Sequence, residues 1–152
     1  VNARTALRAV RASETGSALA EMAVIAPLLF LILIGLVEAG RFASYSIMAA
    51  NAARAGVQYG SQNLVTADDS SGMEAAALSD AQNAAELSAT ATQFCRCADG
   101  TSSTCQPTDC AASHRLVFVQ VTTTGDVPSL FRFPGLPASQ HVSGLAVMRV
   151  AQ

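Results

Sequence analysis

Residues 16–60 read GSALAEMAVIAPLLFLILIGLVEAGRFASYSIMAANAARAGVQYG, and this stretch decides the fold class. Its centre, Met22 to Val37, runs sixteen residues without a charge. Spanning a bilayer takes about 20 apolar residues, with about 17 as the lower limit. Flanking Ala18, Leu19, Ala20, Ala39, Gly40, Phe42 and Ala43 extend the run enough. A buried helix in a soluble domain would need chain on every side of it, and a 152-residue sequence leaves too little for that. The stretch therefore predicts a membrane-spanning helix. Ala, the best helix former, dominates the continuation from Glu38 to Gln62. No Pro falls between Pro27 and Pro107. One helix is expected from about Ala18 to Tyr59, ended by Gly60. Pro27 is expected to kink it, because Pro removes a backbone hydrogen bond. At 1.5 Å per residue its length is roughly 60 Å, enough to cross a bilayer and continue beyond it.

Towards the N-terminus lie Arg4, Arg8 and Arg11. Positive charge beside a span holds that end in the cytoplasm and sends the C-terminal part across. A conventional cleaved signal peptide has a shorter apolar core and a small-residue cleavage site just after it. Glu38 and Arg41 stand there instead. The boundary itself reads Gly16-Ser17-Ala18-Leu19-Ala20-Glu21. It resembles a prepilin peptidase site: a basic leader ending in Gly, then Glu as the fifth mature residue, then an apolar helix. A carboxylate buried in lipid costs a few kcal/mol, about 2.5–3.5 at a helix centre on insertion scales. At a helix N-terminus it is favoured by the dipole. Cleavage after Gly16 would supply a cation, the new amine of Ser17. In pilins the equivalent Glu is taken to meet the amine of a neighbouring subunit, so the resemblance implies that Glu21 sets register.

Beyond the span, Glu38 and Arg41 are three apart and can pair on one helix face. Ile47, Asn51, Arg54 and Gln58 make one helical row. Ala39, Ala43, Ala50, Ala53 and Gly60 make a small-residue row that lets another surface approach closely. Glu21, Pro27, Glu38, Gly40, Arg41 and Ala52-Ala53-Arg54-Ala55-Gly56 together are similar to the TadE-like family of pilus assembly proteins, over about Gly16 to Gly60. The resemblance implies a minor pseudopilin of tight-adherence, type IV-like pili. Its partners would be prepilin peptidase, other pilins and pseudopilins, the pilus assembly platform and the lipid bilayer. It would be a single-pass protein of the bacterial inner membrane, with its C-terminal part outside the cytoplasm. The cysteine-rich segment departs from the family pattern.

That segment, Cys95 to Cys110, holds all four cysteines: Cys95, Cys97, Cys105 and Cys110. An even, local cluster beyond a span points to disulfides in an oxidising compartment. Zinc is disfavoured, since the spacing matches no common zinc arrangement and no His lies inside it. Cys95 and Cys97 are too close to bond each other readily, which leaves two pairings. Upstream, Asn63 to Gly72 reads as a loop. Ser71-Gly72-Met73-Glu74 fits a capping box. Met73, Ala77, Ala81, Ala84, Leu87, Ala91 and Phe94 then recur at helical spacing. Downstream, Arg115 to Thr124 alternates as a strand with Val117, Val119 and Val121 on one face. His141 to Val150 reads as a second strand, with Val142, Ala146, Met148 and Val150 on one side. Phe131 and Phe133, between them, are candidates for a partner-binding patch.

The expected fold is α+β and pilin-like: a long N-terminal helix on a small antiparallel sheet, with a second helix and a stapled loop. The expected organisation is a leader over residues 1–16, the long helix over 17–62, and an extracytoplasmic domain over 63–152. A net charge of −2 gives no electrostatic footprint for nucleic acid. His114 and His141 are far apart in sequence, no Lys exists, and neither a phosphate loop nor HExxH occurs. No enzyme, cofactor or metal is expected. The competing reading is a membrane-anchored binding or adhesin module that uses the stapled loop and needs neither Gly16 cleavage nor Glu21.

Overall fold

A computed structural model describes residues 14–82, 87–106, 108–131 and 137–151. It comprises two compact units, Val1–Gly40 and Arg41–Gln152. Helix α1, Glu14–Gly60, is 47 residues long and continues through Pro27. In the first unit its side chains are apolar all round and exposed, from Leu19 and Met22 to Leu36 and Val37. A surface of this kind is stable in hydrocarbon and not in water.

The second unit is an α+β domain. Its four-stranded antiparallel sheet has the order β2-β1-β3-β4, with β1 Ser88–Cys97, β2 Ser102–Ser103, β3 Arg115–Pro128 and β4 Ser139–Arg149. β3 is central, pairing with β1 from Ser88↔Thr124 to Cys97↔Arg115 and with β4 from Phe118↔Arg149 to Pro128↔Ser139. Val117, Val119, Val121, Thr123 and Val127 line its buried face. Val142 and Val150 of the same side are buried, whereas Met148 is partly exposed.

The C-terminal part of α1 lies against that face with Ala49, Ala52, Ala53, Gly56 and Val57, all buried. Small residues here let backbones come close. A Cβ on Gly144 would stand 2.3 Å from the Ala49 carbonyl oxygen, and one on Gly56 would stand 2.9 Å from the Met73 carbonyl oxygen. Thr123, the buried polar residue of the face, donates its hydroxyl to the Ala49 carbonyl at 2.7 Å. Phe42, Tyr45 and Leu87 close a second small cluster around Ala49, Val127 and Val142.

The middle of the chain departs from expectation. The stretch expected as a loop holds a short helix, α2, Leu64–Asp68, with a reciprocal cap: Asn63 Oδ1 accepts from Thr66 N, and Thr66 Oγ1 accepts from Asn63 N. Helix α3, Ser70–Asp80, is capped by Asp69, whose Oδ1 accepts from Gly72 N at 2.9 Å. The expected Ser71–Glu74 box does not cap it, because Glu74 reaches over to β1. The helical spacing does not continue to Phe94. Ala91 and Phe94 belong to β1, where pairing with β3 outweighs local periodicity. Asn83, Ala84 and Glu86 lie outside the described residues. The sheet thus has four strands where two were expected.

Candidate functional site

The first unit carries the residues expected at the membrane boundary. Gly16, Ser17, Ala20 and Glu21 are exposed on the first turns of α1. Ser17 Oγ donates to Glu21 Oε1 at 3.3 Å, the natural reach of an i,i+4 pair. Residue 17 and the Glu21 carboxylate therefore share one side of the helix, in a shallow depression completed by Ala20, Val24 and Ile25. A Cβ on Gly16 would meet nothing within 4 Å, so backbone crowding does not demand Gly there. Pro27 sits within the helix, in the apolar run. The 18-residue window that marks this span has a mean hydropathy of 2.5 and none of it is buried. Among the described residues this is one helix long and apolar enough to cross a membrane. Arg4, Arg8 and Arg11 lie outside the described residues.

Glu38, in the same unit, is half-buried. In the second unit, Arg41 donates to the Pro128 carbonyl at 3.4 Å and places its guanidinium 5.9 Å from the Tyr45 ring centroid. It thereby ties the helix to the end of β3. Arg54 is exposed, in one row with Ile47, Asn51 and Gln58, while the small residues Ala53 and Gly60 turn inward. The expected small row is only partly the packed one: Ala39 and Ala43 are exposed, and the buried side uses Ala49, Ala52 and Gly56 instead.

The cysteines close two overlapping loops, Cys95–Cys105 and Cys97–Cys110, with Cα separations of 5.1 and 5.5 Å. Cys95 and Cys97 sit on β1, so the segment is half strand and half loop. Asp109 organises the loop. Its carboxylate accepts from Thr104 Oγ1 and Ser103 Oγ, and from the Thr104 and Gln106 amides. These bonds, the Thr104 hydroxyl foremost, hold its pKa below the usual carboxylate range. Asp99 is lowered in the same sense by Thr101. The Arg115 guanidinium donates to the Cys105 carbonyl, the one non-Gly residue with positive φ among those described, at 69°. Sequence reasoning missed Asp99 and Asp109; their signal was an Asp set beside Thr and Ser in a turn-rich run.

Phe131 is exposed, and Phe133 lies outside the described residues. His141 Nδ1 is 3.3 Å from Asp126 Oδ1 on the exposed face of the sheet, while His114 is exposed near the stapled loop. Among the described residues no cluster of three His, Cys, Asp or Glu is placed for a metal.

An exposed apolar helix headed by Ser17 and Glu21, joined to an Ala-rich helix on a sheet, is the geometry the opening stretch foreshadowed. Residues 16–58 match the family of TadE-like proteins. The TadE-like segment covers the apolar run and ends on the packed part of α1, short of α2, α3, the sheet and the disulfides. That family is associated with tight-adherence pilus assembly. No curated protein and no solved structure matches the chain.

Proposed function

We propose that this protein is a membrane-anchored minor pseudopilin of a tight-adherence, type IV-like pilus, acting in pilus assembly and surface adhesion. Prepilin peptidase cuts the leader between Gly16 and Ser17. The observation that carries this reading is the unburied apolar helix with Glu21 one turn from Ser17 at its polar end. Cutting after Gly16 makes an ammonium group at a residue whose side chain already reaches the Glu21 carboxylate. Within a subunit that amine offsets the charge of Glu21 at the interface; between subunits it offers a neighbouring Glu21 a partner as apolar helices pack. An unpaired carboxylate among such helices costs about 2.5–3.5 kcal/mol, so the pairing selects one axial register. Pro27, Glu38, Arg41 and Arg54 complete the assembly surface of α1, and the Arg-bearing leader keeps the N-terminus in the cytoplasm.

The test is expression of the full chain with a prepilin peptidase from a tight-adherence system, followed by mass spectrometry of the N-terminus. A mature chain beginning at Ser17, lost in Gly16→Ala, is expected. Glu21→Ala is expected to be processed but to fail in assembly with other pilins. An intact leader beside an active peptidase that cuts a known substrate would reject the pseudopilin reading in favour of an anchored binding module.

A further inference from the structure

The two edges of the sheet are finished differently. On β1, Ala98 N donates to His114 O, so the register turns the backbone groups of its odd-numbered residues away from β3. That edge is covered at several points. Glu74 Oε1 accepts from Ala91 N at 3.0 Å, β2 pairs at Cys95, and Cys97 N donates to Thr101 O at 2.9 Å. On β4, Val150 N donates to Val117 O at 2.9 Å, so the even-numbered residues bond to β3. The N–H and C=O groups of His141, Ser143, Leu145, Val147 and Arg149 therefore point outward. Among the described residues no strand pairs with this edge. Their side chains lie on the sheet face away from the helices, where Leu145 is 64% and Val147 47% exposed. The strand runs eleven residues in unbroken register and contains no Pro or Lys, the usual devices against edge pairing.

We propose that β4 is a self-association edge, at which two copies of this chain pair β4 to β4, antiparallel about a two-fold axis at Leu145, and merge their sheets into one. Charge and apolar pattern select both the occupant and the register. Pairing about Leu145 sets Leu145 opposite its copy and Ser143 opposite Val147, which removes the most exposed apolar side chains of the strand from water. It also sets Arg149 opposite His141. Arg149 is exposed and has no carboxylate partner among the described residues. His141 lies 3.3 Å from the Asp126 carboxylate, which supplies the acidic group of that corner. Symmetry repeats this Arg-to-Asp/His meeting at both ends. Neighbouring registers put Arg149 opposite Ser139 or Ser143 and lose it. The surface is self-complementary, as a two-fold interface requires.

The contact is independent of leader cleavage and is tested on the full chain in detergent micelles. All four native cysteines are in disulfides, so an introduced thiol is unique. Leu145→Cys is expected to give a covalent dimer with a short bis-maleimide, each maleimide ring adding one thiol. Ser143→Cys and Val147→Cys should each stay uncross-linked alone but cross-link when mixed. Leu145→Lys should weaken the dimer by about tenfold, and mixing it with Leu145→Glu should restore it. A Leu145→Cys protein that forms no cross-linked dimer overturns the proposal. So do cross-links that ignore position, a dimer untouched by Leu145→Lys (as contact through α1 would give), or capture in cells of a different protein alone.

Discussion

Replacing Gly144 by Ala tests the contact that seats α1 on the sheet. The added Cβ would lie 2.3 Å from the Ala49 carbonyl oxygen, 2.5 Å from its carbon and 2.7 Å from Ala50 N. All three are backbone atoms, so no side chain can rotate away, and the helix must retreat by about 1 Å to reach ordinary contact. Overpacking of this kind costs about 1–3 kcal/mol. The retreat also stretches the 2.7 Å bond from Thr123 Oγ1 to the Ala49 carbonyl, leaving a buried hydroxyl poorly bonded at about 1 kcal/mol or more. Replacing Gly within a strand returns about 0.5–1 kcal/mol of chain entropy. The net is a loss of about 1–3.5 kcal/mol, or a fall of roughly 5–15 °C in Tm for a domain of this size. The chain has no Trp, so unfolding is followed by near-ultraviolet circular dichroism of its tyrosines and disulfides, in micelles, against urea. Gly35→Ala is the control, since its Cβ meets nothing within 4 Å. A Gly144→Ala protein within about 0.5 kcal/mol of the parent would refute the close seating of α1 on β4.

Two further outcomes follow from the stapled loop and the caps. Peptide mapping without reduction should recover Cys95–Cys105 and Cys97–Cys110, and the Cys97→Ser/Cys110→Ser pair should lose about 2–4 kcal/mol in the same urea assay; recovery of Cys95–Cys110 would contradict the structure. The Asp69 carboxylate is held below its ordinary value of 3.8 by the Gly72 amide, then by Ser71 and Tyr59, and Asp109 is lowered by Thr104 and Ser103. A carboxylate lowered by folding binds fewer protons folded than unfolded, so its contribution is complete above pH 3.8 and is lost as pH falls through the lower folded-state value. Unfolding midpoints should therefore drop below about pH 4, less steeply in Asp69→Asn and Asp109→Asn, and an unchanged slope in both would disprove the assignment.

Much of the fold was legible. A charge-free run followed by Ala-rich sequence reads as helix whatever packs on it, because both signals are local. Val117, Val119 and Val121 alternated with half-buried partners, and the structure buries all three. β1 was not legible. Ala77, Ala81 and Ala91 sit at multiples compatible with a helix, and small residues announce neither period strongly. Only the partner strand, which begins at Arg115, makes Ser88–Cys97 extended. The cap of α3 was misassigned by two residues, since Asp69 and Ser71 are both good N-caps and the competing demand on Glu74 comes from another element.

The sequence by itself determined the long apolar helix, the place of Ser17 and Glu21 at its polar end, and the presence of paired cysteines beyond it. Each rests on properties of neighbouring residues: transfer to hydrocarbon, helix propensity and thiol spacing. Tertiary structure alone decided which cysteine meets which. The answer depends on β1 facing Ser102–Ser103 in one register, and either pairing was open to the chain as a string. It alone placed Gly144 beneath Ala49 and turned Glu74 from a cap into a cover for the β1 edge. It alone left the far edge of β4 without a partner strand among the described residues. Those features arise where residues distant in sequence compete for the same space or hydrogen bond, and such competition is settled only when the whole sheet closes.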